Sequence, residues 1–205
     1  MMASLIPDTA AFIIAGGQSS RMGTDKAFLR LGSITLIERA IDTLKGVCET
    51  VALVGDKQRL QNFGLVVEDR YPGQGPLAGI EAALQSDTSK TLNIVIAVDM
   101  PAVSAKLLKY ILNIAWETGT VVTAPRCGGH IQPLCAVYRK EFGEVAERAL
   151  HERRNKIEPL FSEVRTRVIE EDELKALGFS ADIFDNVNTP EDWQRMQERF
   201  GVANR

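Results

Sequence analysis

A glycine-rich loop near the N-terminus holds the residues best suited to chemistry. The loop follows the apolar run 11–15 and reads Ala15-Gly16-Gly17-Gln18-Ser19-Ser20-Arg21-Met22-Gly23-Thr24-Asp25-Lys26. Glycines allow successive backbone N–H groups to approach a polyphosphate closely, and the cations Arg21 and Lys26 would offset its negative charge. The segment lacks both the Gly-Lys-Ser/Thr of a P-loop and the G-x-G-x-x-G of a dinucleotide-binding loop. It therefore predicts another kind of phosphate-binding loop, and a glycine-rich turn with two solvated cations is the alternative.

A carboxylate follows the most hydrophobic strand candidate of the chain, residues 93–98. Asp99 comes directly after that segment and precedes Met100-Pro101. A hard carboxylate oxygen, together with phosphate oxygens, suits Mg²⁺, which usually keeps several waters and rarely has an all-protein cage. Asp99 is therefore a candidate magnesium ligand, and the alternative is a residue that caps the helix after Pro101.

Two asparagines flank Val187 just before a predicted helix start. Thr189 suits the N-cap, Pro190 the first helical position, and Asp192 the position of a capping partner. These roles leave Asn186 and Asn188 unexplained. Residues two apart in an extended segment point the same way, so we expect both asparagines to face an active site.

The order of predicted elements indicates how these residues are positioned. Short apolar runs predict strands at 11–15, 51–54, 65–67, 93–98 and 121–124, and helical spacing predicts helices at 36–45, 77–84 and 104–116. The pattern is looser after residue 124, with an apolar stretch at 134–138, a helix near 141–151, a strand at 164–169 and a helix after Thr189. Alternation of this kind predicts an α/β fold: a mostly parallel sheet with helices on both faces, in three layers. Ligands then bind beyond the carboxyl ends of the strands.

Composition limits the classes of protein. A chain of 205 residues with 45% hydrophobic content favours a single domain over 1–205. The net charge of -3, with scattered Lys and Arg, argues against nucleic acid and membrane surfaces as partners. Three cysteines without CxxC spacing indicate a reduced, cytoplasmic protein without structural zinc. No basic region precedes the first apolar stretch and no segment reaches about 18 apolar residues, so neither export nor a membrane anchor is expected.

Five strings along the chain carry a resemblance to a known family. They are 15–27, then Asp69 with 72–80, then Asp99-Met100-Pro101, then 133–138, and finally 186–192. Together they resemble the signature of the molybdenum cofactor guanylyltransferases, the MobA family, within the nucleotidyltransferase superfamily. The match spans nearly the whole chain, and it implies the Rossmann-like sheet of GT-A-type nucleotidyltransferases.

The resemblance implies a reaction and its participants. GMP would pass from GTP to the phosphate of molybdopterin, with or without bound molybdenum, to give the guanine dinucleotide cofactor and pyrophosphate. Arg21, Lys26 and Asp99 would be catalytic, with Asp99 the Mg²⁺ ligand and Asn188 a second metal contact. Other proteins of cofactor biosynthesis and molybdoenzyme chaperones would be partners.

The resemblance also assigns binding residues. The nucleotide contacts would be Ile14, Ala15, Gly16, Gly17, Lys26, Val54, Asp69, Pro76, Gly79 and Asp99. Val54 beside Gly55 departs from the family, which often has Asn there, and Asp69 alone also reads as a solvated acid beside Arg70. The acceptor-binding residues would be His130, Gln132, Asn186 and Asn188. The family often has His directly before Pro133, where this chain has Gln132, and His130 alone also reads as a solvated loop residue.

Two other functions fit parts of the sequence. The first is a nucleotidyltransferase that uses CTP or another phosphorylated acceptor, against which the Gly16-Gly17 pair and Asp25-Lys26 favour the guanylyl branch. The second is a nucleotide-binding regulator without turnover. Binding alone would tolerate loss of the metal ligand, so the presence of Arg21, Lys26 and Asp99 together favours an enzyme.

Overall fold

A computed structural model describes residues 5–16 and 25–202 of the chain. The strands are β1 Thr9–Ile14, β2 Arg30–Leu31, β3 Ile34–Thr35, β4 Thr50–Val54, β5 Leu65–Val67, β6 Leu92–Ala97, β7 Val122–Cys127, β8 His130–Ile131, β9 Cys135–Tyr138 and β10 Thr166–Ile169. The α-helices are α1 Leu36–Lys45, α2 Lys57–Leu60, α3 Pro76–Gln85, α4 Ala105–Thr118, α5 Glu141–His151, α6 Glu171–Ala176 and α7 Pro190–Arg199. Three short 3-10 helices cover Lys26–Phe28, Glu158–Glu163 and Ala181–Phe184.

The main sheet has the strand order β10-β7-β9-β6-β1-β4-β5, with β8 paired to β7. β1 lies between β6 and β4 and runs parallel to both, so that Ile14 is in register with Ala97 and with Val54. β9 is antiparallel to both of its neighbours, β6 and β7. The carboxyl ends of β1, β4, β5, β6, β7 and β10 therefore meet at one edge of the sheet, which we call the carboxyl edge. The predicted α/β class with a mostly parallel sheet is confirmed.

Helices cover both faces of this sheet. Along β1, Ala11 and Ile13 pack with the apolar sides of α1 and α4. The alternate residues Ala10, Phe12 and Ile14 pack with α3 and α5 on the other face. Because the side chains of a strand alternate between faces, a strand that is buried throughout requires a layer on each side. The three predicted layers are confirmed.

Side-chain caps fix the ends of the helices that frame the carboxyl edge. Thr35 begins α1 with a capping box to Glu38, and Ser104 begins α4 by accepting a hydrogen bond from the Leu107 N–H at 3.3 Å. Thr189 begins α7 with a capping box to Asp192, as the sequence predicted. Asp99 lies five residues before Ser104, so the alternative that Asp99 caps this helix is wrong.

The structure adds short elements that the sequence did not predict. They are the β2 and β3 hairpin, β8, α2 and α6. Each is too short to show a clear hydrophobic period. None of the helices in the described part of the chain is long and apolar enough to cross a membrane.

Candidate functional site

A cleft of about 670 Å³ opens at the carboxyl edge of the sheet. The ends of three strands line it: Ile14, Ala15 and Gly16 after β1, Val54 and Gly55 after β4, and Ala97 to Asp99 after β6. Loop and helix residues complete the lining, including Lys26, Asp69, Pro76 and Gly79. The predicted nucleotide contacts within the described residues therefore all lie around one cavity. Gly17, the remaining predicted nucleotide contact, and Arg21, predicted to be catalytic, lie outside the described residues.

Lys26 joins two parts of the chain on the polar side of this cleft. Its Nζ donates a hydrogen bond of 2.6 Å to Asn188 Oδ1 and lies 3.5 Å from Asp99 Oδ2. The Lys26 side chain is only 18% exposed, so it is not a solvated surface cation. The structure thus brings together Lys26, Asp99 and Asn188, which the sequence had singled out separately.

Backbone contacts hold Asn188 in this position. The Val187 N–H donates to the Asp99 carbonyl oxygen at 2.9 Å, which ties the end of β6 to the segment before α7. Asp192 Oδ2 accepts from the N–H groups of Asn188 and Thr189 at 3.0 and 2.9 Å. Asp192, the capping partner of α7, therefore also fixes the backbone of Asn188.

The Asp99 carboxylate is largely shielded from water, with 22% of its side chain exposed. This burial raises the pKa of Asp99, and the charge and hydrogen bond of Lys26 act in the opposite direction. Removal of solvent favours the neutral carboxyl group unless a cation lies near it. Asp99 is therefore a site where a positive charge is strongly favoured.

Part of the lining of the cleft is apolar. Ile14, Val54 and Leu134 contribute aliphatic side chains to it. Gly79 of α3 lies against two of them, because a Cβ at this position would come within 3.0 Å of Ile14 Cδ1 and 3.5 Å of Val54 Cγ1. Glycine thus allows α3 to approach the sheet closely. The surface it helps to form is of the kind that contacts the flat face of a planar ring.

The start of α3 faces the cleft through Gly75 and Pro76. Gly75 has a φ of +78° and provides no side-chain cap, and Pro76 occupies the first turn. The N-terminal end of a helix carries a partial positive charge and unpaired N–H groups, which favour anions. Asp69 also lines the cleft, and its Oδ1 accepts a hydrogen bond of 2.8 Å from the Tyr71 N–H. Asp69 therefore shapes a local turn as well as the cavity.

Arg59 is a neighbour of the site that sequence reasoning missed. Asp25 lines the cleft, caps the turn of Lys26 by accepting from the Ala27 N–H at 3.2 Å, and forms an ion pair with the Arg59 guanidinium of α2. Asp25 is thus held by a cation from after β4. No motif surrounds Arg59, so the sequence carried no signal for this contact.

The predicted acceptor-binding residues lie near the carboxyl edge, and only Asn188 reaches the groups described above. His130 is exposed on β8, and the Gln132 N–H donates to the Pro125 carbonyl oxygen at 2.8 Å. Neither residue lines the cleft, and Asn186, also exposed, does not line it. Within residues 5–16 and 25–202, no three His, Cys, Asp or Glu side chains are grouped closely enough to hold a metal ion.

A mostly parallel sheet with a cleft, a lysine and a carboxylate at its carboxyl edge is typical of nucleotide-binding α/β proteins. The family described as the MobA-like NTP transferase domain matches residues 11–168, well over half of the 205 residues. The chain belongs to this family.

Relatives and solved structures agree with that assignment. A protein of Carboxydothermus hydrogenoformans named as a probable molybdenum cofactor guanylyltransferase is 35% identical over 191 residues, which cover 93% of this chain and 95% of that protein. A protein of Pelotomaculum thermopropionicum with the same name is 38% identical over 182 residues, covering 88% and 87%. The crystal structure of molybdopterin-guanine dinucleotide biosynthesis protein A from Archaeoglobus fulgidus is 24% identical and has a TM-score of 0.83, covering 95% of this chain and 100% of that one. It shares the fold of this protein.

Proposed function

We propose that the protein transfers GMP from GTP to the phosphate of a molybdopterin-type acceptor and releases pyrophosphate. The names of the relatives support this reaction. The observation that carries the proposal is the convergence of Lys26, Asp99 and Asn188 at the edge of the cleft. An ammonium group for the phosphates and a carboxylate for a divalent cation, both beside a cavity of nucleotide size, suit the binding and cleavage of a triphosphate.

The cleft divides naturally between a base and phosphates. We place the guanine ring against Ile14 and Val54, on the apolar side. The phosphates would lie toward Gly16, Lys26 and the start of α3, where N–H groups and an ammonium group offset their charge. Val54 offers no polar side-chain atom, so recognition of the base edge would come from backbone groups and from Asp69. Gly17 and Arg21 stay predictions as further phosphate contacts.

The residues at the polar side fit Mg²⁺. Asp99 Oδ2 and Asn188 Oδ1 are hard oxygens that already lie on either side of one cation, the Lys26 ammonium group. Mg²⁺ commonly takes one or two protein oxygens and completes its shell with substrate phosphates and water. Asp99, with Asn188, would therefore hold the ion. When bound, Mg²⁺ supplies charge neutralisation at the phosphates.

The chemistry asks little else of the protein. The acceptor phosphate is ionised at neutral pH, so its oxygen attacks the α-phosphorus of GTP without a general base. A new phosphorus–oxygen bond forms as the bond to the β-phosphate breaks, and the electron pair leaves with pyrophosphate. The Lys26 ammonium group stabilises the negative charge that develops on the phosphate oxygens during this step. Positioning and charge neutralisation are thus the main tasks of the site.

The acceptor would bind on the side of the carboxyl edge where Asn186 and Asn188 precede α7. His130 and Gln132, after β7, would extend the same surface. The same proposal includes other cofactor-biosynthesis proteins and molybdoenzyme chaperones as partners. It also includes a cytoplasmic location and a single domain over 1–205.

Acceptor-dependent release of pyrophosphate tests the function. The purified protein is incubated with Mg²⁺ and with GTP, ATP, CTP or UTP, each with and without molybdopterin. We expect release with GTP and acceptor together, and little release when either is absent. Faster release with CTP would replace this proposal with a cytidylyltransferase, and no release with any nucleotide would favour a non-catalytic regulator.

A further inference from the structure

A second group of charged side chains lies behind the loop that joins β5 to α3. Glu81 of α3 is fully buried, with 0% of its side chain exposed, and neither carboxylate oxygen has a hydrogen-bond partner. Its neighbour is Arg70, whose Nη1 lies 3.3 Å from Glu81 Oε1. Arg70 follows Asp69, a residue that lines the cleft. The group therefore connects the interior of the protein to the wall of the proposed nucleotide site.

The same loop is also tied to α5. Arg70 Nη2 donates a hydrogen bond of 2.7 Å to Glu147 Oε1, and the Tyr71 hydroxyl donates to the same oxygen at 3.2 Å. The Tyr71 hydroxyl also lies 3.2 Å from His151 Nε2. Arg70 thus lies between two carboxylates from different helices, one buried and one at the surface.

Packing does not explain a carboxylate at position 81. The other residues from Leu77 to Leu84 are buried and apolar or glycine, so a methionine or leucine would fill the position with less desolvation. Burial raises the pKa of Glu81, and the Arg70 guanidinium acts against that rise. A buried ionised group without hydrogen bonds lowers stability unless its partner compensates. We therefore expect Glu81 to have a role other than packing in the core.

The loop 69–75, which Arg70 joins to α3 and α5, needs contacts that fix its conformation. Asp69, Gly73 and Gly75 all line the cleft, and both glycines have positive φ, +82° and +78°. A glycine-containing loop has many accessible conformations when it is not fixed from outside. Arg70 and Tyr71 are the residues whose side chains fasten it to α3 and α5.

We propose that Glu81 and Arg70 are positioning residues for the nucleotide: Glu81 holds Arg70, and Arg70 fixes the loop 69–75 in the shape that the cleft requires. This inference rests on the proposed function. Neither side chain touches the reacting atoms, so the effect of losing the pair is on nucleotide binding and not on the chemical step.

Glu81→Met tests the inference, with Glu144→Gln as the matched control on an exposed carboxylate of α5. We expect the KM for GTP to rise about tenfold in Glu81→Met, with kcat within about twofold and an unchanged or higher melting temperature. Glu144→Gln should match the wild type in all three quantities. A residue with a purely structural role would instead leave the KM for GTP unchanged. An unchanged KM for GTP in Glu81→Met overturns the inference.

Arg70→Met and Arg70→Lys provide a second test from the side of the partner, whose side chain is 48% exposed. We expect Arg70→Met to raise the KM for GTP, and Arg70→Lys to restore part of the loss because its charge still faces Glu81. If Glu81→Met does not fold, these two variants decide, and an unchanged KM in Arg70→Met overturns the inference. A wild-type protein that releases no pyrophosphate from GTP overturns the proposed function itself, which separates the two failures.

Discussion

Lys26 lies between the side-chain oxygens of Asn188 and Asp99, at 2.6 and 3.5 Å. These residues are 162 and 73 positions away in sequence. A separate sequence pattern predicted each residue. Lys26 follows a glycine-rich loop, Asp99 follows a buried strand, and Asn188 precedes a helix cap. Their contact with one another depends on the strand order, which no single motif encodes.

Lys26→Ala is expected to slow pyrophosphate release more than it affects folding. A hydrogen bond to a charged group contributes about 1.5 to 3 kcal/mol, which corresponds to a roughly ten- to hundredfold loss of turnover if phosphate is its partner in the reaction. Steady-state kinetics and a melting curve measure the two effects. Lys90→Ala, at an exposed position before β6, serves as the control and should leave both unchanged. Equal kinetics in the two variants would show that Lys26 does not bind phosphate.

For isolated charged residues, the sequence alone did not indicate a role. Arg59 and Glu81 stand in no motif, and a single Arg or Glu in a helix is ordinarily a solvated surface residue. Their roles come from tertiary neighbours: Asp25 for the first and Arg70 for the second. Arg21 and Gly17 lie outside the described residues, and their assignment stays a prediction.

The bounds of the elements that carry the site were predicted well where the hydrophobic pattern extended over many residues. α1 and α5 have the predicted bounds, and α4 ends at Thr118, two residues beyond the predicted end, before Gly119 with its φ of +60°. The orientation of β9 could not be predicted, because an apolar run reads the same in a parallel and an antiparallel strand. That reversed strand brings Leu134 to the cleft.

Gly79→Ala tests the close approach of α3 to the sheet. The added Cβ would meet Ile14 Cδ1 at 3.0 Å, so the end of this side chain, which lines the cleft, must move by a few tenths of an ångström. Overpacking of this kind costs about 1 to 3 kcal/mol, and we expect it to weaken GTP binding about tenfold. Isothermal titration with GTP measures the change.

Gly46→Ala, at the end of α1, is the control for this substitution. Gly46 has a φ of -74°, and its nearest contact to an added Cβ is 3.4 Å, so alanine fits there. The GTP affinity of Gly46→Ala should equal that of the wild type. If Gly79→Ala also bound GTP with wild-type affinity, α3 would not form a wall of the nucleotide site.

The molecule as a whole should be stabilised by its nucleotide. A ligand that binds only the folded state at about 100 times its Kd adds about 2.7 kcal/mol, which for a chain of this length raises the melting temperature by about 5 to 10 °C. Thermal denaturation with Mg²⁺ and each nucleotide at equal concentration measures this shift. We expect the largest shift with GTP, and a larger shift with CTP would contradict the assignment of the base.

Asp99→Asn tests the central claim most directly, because the claim is that the carboxyl edge with Asp99 is where GMP is transferred. An amide keeps the shape of Asp99 and loses the charge that would hold Mg²⁺. The measurement is the acceptor-dependent rate of pyrophosphate release from GTP at limiting Mg²⁺, alongside the melting temperature. We predict a loss of about a hundredfold or more in rate with a melting temperature close to that of the wild type. A variant that turns over near the wild-type rate would contradict the account.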